Sequence, residues 1–254
     1  MSVVTVFGLH AVRALLAHDP GRGRRLYLQQ GRQDRRAAEV ESLARAAGVP
    51  VAHRPGGELD RLSGEGAHQG VLAEVVPAEP LGEDDLARRV GAAGREALVL
   101  VLDGVQDPHN LGACLRTAEA VGATAVVAPR DRACGLTPVV RKVAAGAAEM
   151  VPFVQVTNLA RCLAGLKGQG LWVVGTAGEA ERDLYAADLA GPLAIVLGAE
   201  GRGMRRLTGE SCDFTVRLPM RGVTESLNVS VAAGVVLYEA LRQRLAAAAV
   251  AKTQ

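Results

Sequence analysis

Three short segments concentrate the chemically useful side chains of this chain: LDGVQDPHNLGACLRTAEAVGA (102–123), LGAEGRGM (197–204) and LPMRGVTESLNVS (218–230). The third sets Thr224, Glu225, Ser226, Asn228 and Ser230 at the head of an apolar series, Leu227, Val231, Val235, Tyr238 and Leu241, which recurs at helical spacing. A helix start needs one capping side chain for its orphan N–H groups, so Ser226 or Thr224 is expected as the cap and the other polar groups are surplus. In the second segment three glycines surround Glu200, which lets the backbone approach a ligand closely while a carboxylate stays inside the turn. In the first, Pro108 presets a turn, Asn110 is placed to cap a helix, and Arg116 follows nearly two helical turns later.

Each segment follows an apolar run of strand type: ALVLVLD (97–103), LAIVLG (193–198) and FTVRLP (214–219). In an open α/β sheet, ligands sit outside the carboxyl ends of the strands. Three polar loops after separate strands therefore point to one lined pocket. It is not a P-loop, because no GK[ST] follows the glycines, and no GxGxxG follows the first strand, which weakens a dinucleotide-dependent oxidoreductase. Cys114, Cys134, Cys162 and Cys212 are far apart, with no CxxC and no neighbouring His pair. That spacing argues against a zinc site and a disulfide framework, and fits a reducing cytoplasm.

Residues 1–76 form a first small αβ domain. VFGLHAVRALLAHD (6–19) reads as a helix, LYLQQ as a strand and DRRAAEVESLARAAG as a helix ending with Gly48 at C′. VPVAH, ELDRLSG and GVLAEVV follow as strand, short helix and strand. PAEPLGEDDLARRVGAAGRE (77–96) has linker composition, with room for a short helix in DDLARRV. Residues 97–254 form the second domain, where strands at 124–128, 153–156 and 171–177 join the three above and alternate with helices near 110–121, 137–148, 158–167 and 203–209, and a long closing helix. This alternation predicts a mostly parallel sheet with helices on both faces.

Composition narrows the class. A 49% hydrophobic and 22% charged chain buries a globular core, and no apolar run reaches membrane-spanning length. Aromatic residues make up 3%, too few for a single-strand binder built on stacking platforms. The net charge of +2 sets up no global field for a polyanion, yet 26 of the 29 basic residues are arginine, and seven of these lie in the first 36 residues. Arginine suits phosphate recognition through its planar fork. An ordinary solvated helix face is the competing explanation for any one of them.

Together the three segments resemble the three motifs of the SPOUT superfamily, in its TrmH (SpoU) branch of RNA ribose 2′-O-methyltransferases. The resemblance runs in order through N–LGACLRTAEA, VLGAEGRGM and LPMRGVTESLNVSVAAGV, and FGLHAV and HQGV (68–71) are typical of the branch's ribosomal RNA enzymes. It implies an L30e-like RNA-binding domain over 1–76 and a SPOUT domain over 97–254 with a deep trefoil knot, where periodicity alone gives an ordinary doubly wound sheet. It implies S-adenosylmethionine as methyl donor, no metal, a homodimer, and a guanosine of 23S ribosomal RNA as target. Asn110, Arg116, Glu200, Ser226 and Asn228 match the family's active-site positions. Gly198, Leu218 and Leu227 would meet the donor largely through backbone groups, with Thr176 and Gly201 lining the same pocket. His10, Arg22, Arg24 and Arg25 are expected on the RNA backbone. The alternatives are a thiostrepton-resistance-type adenosine 2′-O-methyltransferase, a tRNA guanosine enzyme, which would lack the first domain, and an RNA-binding assembly factor with a dead donor site. The last is disfavoured by the presence of all of Asn110, Arg116, Glu200 and Asn228.

Overall fold

The computed structural model describes residues 3–32, 34–64, 68–77 and 81–251. Two compact units emerge: Met1–Glu79 with Arg141–Met150, and Pro80–Val140 with Val151–Gln254.

The first unit begins with β1 (Val4–Phe7), α1 (Leu9–His18), β2 (Gly23–Gln29), α2 (Arg35–Ala46), β3 (Val51–Arg54), α3 (Gly56–Ser63) and β4 (Val71–Val75). Its sheet has the order β1-β4-β2-β3, antiparallel except for the β2–β3 pair. The helix expected from Val6 onward is in fact a strand and then a helix. Gly8, at φ 92, turns the chain between them, and its N–H reaches the Val71 carbonyl at 3.0 Å. That backbone conformation is open to glycine at little cost, and the apolar spacing of VFGLHAV fits a helix as well as a strand. The α2 prediction holds in detail: Asp34 caps it by accepting from the N–H of Arg36 and Ala37 at 3.1 Å, and Gly48 follows its C-cap at φ 70.

The elements that follow are α4 (Glu83–Ala93), β5 (Leu98–Asp103), α5 (Pro108–Ala120), β6 (Ala125–Pro129), α6 (Pro138–Ala144), α7 (Ala147–Met150), β7 (Phe153–Val156), α8 (Leu159–Gly168), β8 (Trp172–Thr176), β9 (Arg182–Asp183), β10 (Leu193–Gly198), α9 (Arg206–Glu210), β11 (Phe214–Arg217) and α10 (Val229–Ala251); they form the second unit, except that α6 from Arg141 onward and α7 cluster with the first. Seven strands form one sheet in the order β7-β6-β5-β10-β8-β11-β9, with every pairing parallel. The continuous aliphatic runs of β5 and β10 lie at its centre, buried on both faces, as their sequences require. Leu86 and Val90 of α4 pack in the same core as Val99, Val101, Leu163 and Val196, so the stretch of linker composition contributes a packed helix.

The helix expected over 137–148 is interrupted at Ala145 and Gly146, whose φ angles are 51 and 97. A Cβ on Gly146 would lie 2.0 Å from the Ala11 Cβ, so only glycine lets this segment lie where it does within the first unit. The closing helix starts at Val229, not Leu227, and its buried stripe is Val229, Ala233, Val236, Leu237 and Ala240. Of the stripe expected inside, Leu227, Val231 and Tyr238 are exposed instead. The helix is apolar around most of its circumference, so spacing alone does not choose which face turns inward. Among the described residues no helix is long and apolar enough to cross a membrane.

Candidate active site

β5 leads to β6 on one side of the sheet while β10 neighbours β8 on the other, so the order of strands reverses at the β5–β10 pair. The carboxyl ends there open a crevice, and all three polar segments arrive at it. A cleft of about 700 Å³ is lined by Thr176, Gly198, Gly201, Leu218, Leu227 and the rest of the 197–206 turn, together with Glu200 and Ser226. Every residue expected at the methyl donor lines this one cavity.

The turn after β10 folds back tightly. Ala199 pairs with Gly203, and a Cβ on Gly198 would sit 2.0 Å from the Gly203 carbonyl carbon and 2.2 Å from the Met204 nitrogen. Gly201 and Gly203 take φ angles of 71 and 65, which bend the turn and carry Glu200 outward. Met204 then points back beneath Gly175, so the helix expected from residue 203 begins only at Arg206. The glycines of this turn thus bring bare backbone to part of the cleft wall, a surface that offers N–H and C=O groups to a ligand.

Beside it lies a polar knot of three side chains from three segments. Glu200 Oε1 accepts from Asn228 Nδ2 at 2.6 Å, from the Val229 N–H at 3.2 Å and from Asn110 Nδ2 at 3.3 Å. Asn228 Nδ2 also donates to Asn110 Oδ1 at 2.9 Å, while its Oδ1 accepts from the N–H and hydroxyl of Ser230 at 2.9 and 2.6 Å. Asn228 is therefore the N-cap of α10, a role expected of Ser226 or Thr224. A carboxylate set against the first N–H of a long helix is stabilised by the helix dipole as well as by its hydrogen bonds. Asn110 is buried within the first turn of α5, and Asp107, not Asn110, caps that helix by accepting from the His109 N–H.

Arg116 stands apart from this knot. It is exposed on α5 and has no ion-pair partner among the described residues, and the carboxylate of Glu200 engages Asn110 rather than Arg116. Burial pushes the Cys114 and Cys162 thiols up to about 12 and Cys212 to about 11, so none of the three is a thiolate near neutral pH. Of the residues expected on RNA, His10, Arg24 and Arg25 are exposed, with Arg24 in a bulge of β2 where the register slips against β4. Arg22 is engaged otherwise: its guanidinium is mostly buried against Glu149, its Nε donates to the Val76 carbonyl, and burial lowers its pKa. Motif spacing also misses the buried carboxylate of Asp103, which lies outside the cleft lining, under the cleft residue Arg205. Its signal in the sequence is a charged residue closing an otherwise wholly apolar run.

The SpoU rRNA Methylase family matches residues 97–238, and the RNA 2′-O ribose methyltransferase substrate binding family matches residues 5–81. The chain is 57% identical over 239 residues to the 23S rRNA (guanosine-2′-O-)-methyltransferase RlmB of Pseudomonas putida, covering 94% of this chain and 96% of that one. It is 52% identical over 246 residues to RlmB of Coxiella burnetii, covering 97% and 98%. Among solved structures, the SpoU methyltransferase AviRb of Streptomyces viridochromogenes superposes with a TM-score of 0.76 at 25% identity, covering 96% of this chain and 91% of that one. AviRb has also been solved in complex with AdoMet. With the cleft, the three convergent motifs and the match over more than half its length in hand, the chain belongs to the SpoU rRNA methylase family.

Proposed function

We propose that this chain catalyses S-adenosylmethionine-dependent methylation of a guanosine ribose 2′-oxygen in 23S rRNA. The observation that carries the proposal is the convergence of Glu200, Asn110 and Asn228 beside a cleft bordered by the glycine-rich turn after β10. The donor site fits: the crowding at Gly198 leaves a cradle that a single Cβ would disrupt, and Thr176, Gly201, Leu218 and Leu227 complete its lining. S-adenosylmethionine bound there supplies an activated methyl group on a cationic sulfur. The residues of the chain must hold the ribose hydroxyl in line and ease the loss of its proton. Glu200 and Asn228 hold the 218–228 segment against the turn after β10, so that Ser226 faces the cleft. Arg116 carries a donor-only guanidinium and is not assigned as the base; its planar fork instead holds the neighbouring phosphate and the charge developing on the 2′-oxygen.

Two further properties belong to the same proposal. A second copy of the chain covers the exposed apolar face of α10, where Val231, Tyr238 and Leu245 are 51%, 52% and 62% exposed. The carboxyl-terminal segment threads through a loop of the second unit as a deep trefoil knot, as the resemblance to the SPOUT superfamily implies. The enzyme works in the cytoplasm, in keeping with its rRNA target.

Incubation with labelled S-adenosylmethionine and undermethylated 23S rRNA is expected to place one methyl group on a guanosine ribose, mapped by primer extension. Transfer to adenosine would redirect the proposal to the adenosine enzymes, and no transfer to any RNA would favour an assembly factor. In the same assay Arg116→Lys is expected to lower turnover by at least about tenfold, because lysine keeps the charge but loses the fork. Unimpaired turnover would remove the phosphate-holding role.

RNA affinity is assigned to the first unit through His10, Arg24 and Arg25. Neutralising Arg24 and Arg25 together is expected to weaken rRNA binding and to flatten the slope of log affinity against log salt by about 2, since each arginine neutralises one phosphate. Filter binding across a salt series measures both, and an unchanged slope would place the RNA surface elsewhere.

A further inference from the structure

Asp103 takes no part in the chemistry derived above, yet it is among the few charged side chains buried in the described structure. It ends β5 directly opposite Gly198 of β10, at the carboxyl end of the central strand pair. Taking a carboxylate fully out of water is costly unless it is paired. Oδ2 is satisfied by the Arg205 N–H at 2.8 Å. Oδ1 is buried with no hydrogen-bond partner and lies 3.4 Å from Nε of the same arginine.

Arg205 is the other half of the arrangement. It follows the folded-back turn, its side chain is 45% exposed, and it lines the cleft. Gly104, at φ 85, turns the chain directly after Asp103, and Arg205 Nη2 lies within van der Waals reach of that turn. A guanidinium has a planar fork of donors, and a carboxylate on its Nε edge fixes the plane while leaving the Nη donors free for a second oxyanion. A backbone clamp alone would need only the Oδ2 bond. The second, unpartnered oxygen beside Nε is what aims the side chain.

We propose that Asp103 is a positioning residue that directs Arg205 into the cleft, where the guanidinium binds an oxyanion of the reactants. The oxyanion is either the carboxylate of the methyl donor or a phosphodiester of the RNA, and both present the same paired oxygens. The inference rests on the methyl-transfer reading of this cleft.

Donor affinity by calorimetry without RNA, and RNA affinity by filter binding without donor, separate the two sources. Arg205→Ala is expected to weaken one of the two ligands about tenfold and leave the other unchanged. Asp103→Asn retains an acceptor for the Arg205 N–H but loses the charge beside Nε, so it should weaken the same ligand. The double variant should then bind no more weakly than Arg205→Ala alone. Arg205→Lys should restore only part of the loss. Wild-type affinity for both ligands in Arg205→Ala, or fully additive losses in the double variant, would overturn the proposal. If Asp103→Asn does not fold, the exposed Arg205 variants still decide, since lysine binding as well as arginine removes the need for an aimed fork. Methyl transfer by the wild-type chain is scored separately: its absence sinks the methyltransferase reading, whereas wild-type transfer with indifferent Arg205 variants sinks only this one.

Discussion

Asn228→Ala is expected to lower the single-turnover rate about a hundredfold while the protein stays folded, because small displacements of positioning groups have effects of that size. The amide of Asn228 joins three segments at once, reaching Glu200 at 2.6 Å and Asn110 at 2.9 Å while capping α10 through Ser230. Losing a cap costs about 1 kcal/mol. That is small beside the burial of Val229, Ala233, Val236, Leu237 and Ala240 along the same helix. Stability and rate should therefore part company, with Tm nearly unchanged and turnover collapsed. Asn228→Asp sharpens the test. It keeps the capping oxygen but sets a carboxylate against Glu200, so it should be at least as slow as the alanine variant while α10 remains capped. Turnover within about twofold of wild type in Asn228→Ala would mean that the Glu200–Asn110–Asn228 cluster only holds the fold.

Gly198→Ala is expected to abolish measurable donor binding, for a different reason. The obstacle is not backbone conformation but space, since the new Cβ would fall 2.0 Å from a backbone carbon and 2.2 Å from a backbone nitrogen. Neither atom can rotate aside as a side chain would, so the turn must lift away from β10 and the cleft wall moves with it. Overpacking of this kind costs about 3 kcal/mol or more, which for a chain of this size lowers Tm by roughly 6 °C or more. Gly201→Ala is the contrast within the same turn. Its φ is 71, but nothing lies within 4 Å of the added Cβ, so the cost is the conformational strain of about 1–2 kcal/mol. Calorimetric titration of the donor into both variants, with thermal melts, tests the pair. Donor binding by Gly198→Ala near wild-type affinity would show that the cleft does not depend on this turn.

Much of the second unit is legible in its residues. Uninterrupted aliphatic runs such as LVLVLD read as strands buried on both faces, and Gly104 directly after this one ends it. The short edge strand β9, two residues long, leaves no pattern to read. In the first unit, VTVF and LHAVRALL run together at spacings that suit either element, and the positive φ of Gly8 decides where one stops. Helix α10 shows the limit of periodicity most clearly. Its residues announce a long apolar helix, but with apolar groups around most of its surface only packing against α5 and β10 determines which stripe is buried.

The site divides in the same way. Residue pattern alone identifies which groups gather: glycines flanking Glu200, Asn110 at a helix start, and the surplus polar groups of TESLNVS, each placed after a strand. It can do so because residue type and position after a strand are local properties. Partnership is not local, and it emerges only once the chain is folded. Glu200 binds two asparagines 90 and 28 residues distant rather than Arg116, Asn228 takes the cap that Ser226 was expected to hold, and Asp103 lies beneath Arg205 across 102 residues of chain. Those pairings arise because the parallel sheet sets the carboxyl ends of β5 and β10 side by side, a juxtaposition fixed by strand order and by the burial of both strands on two faces.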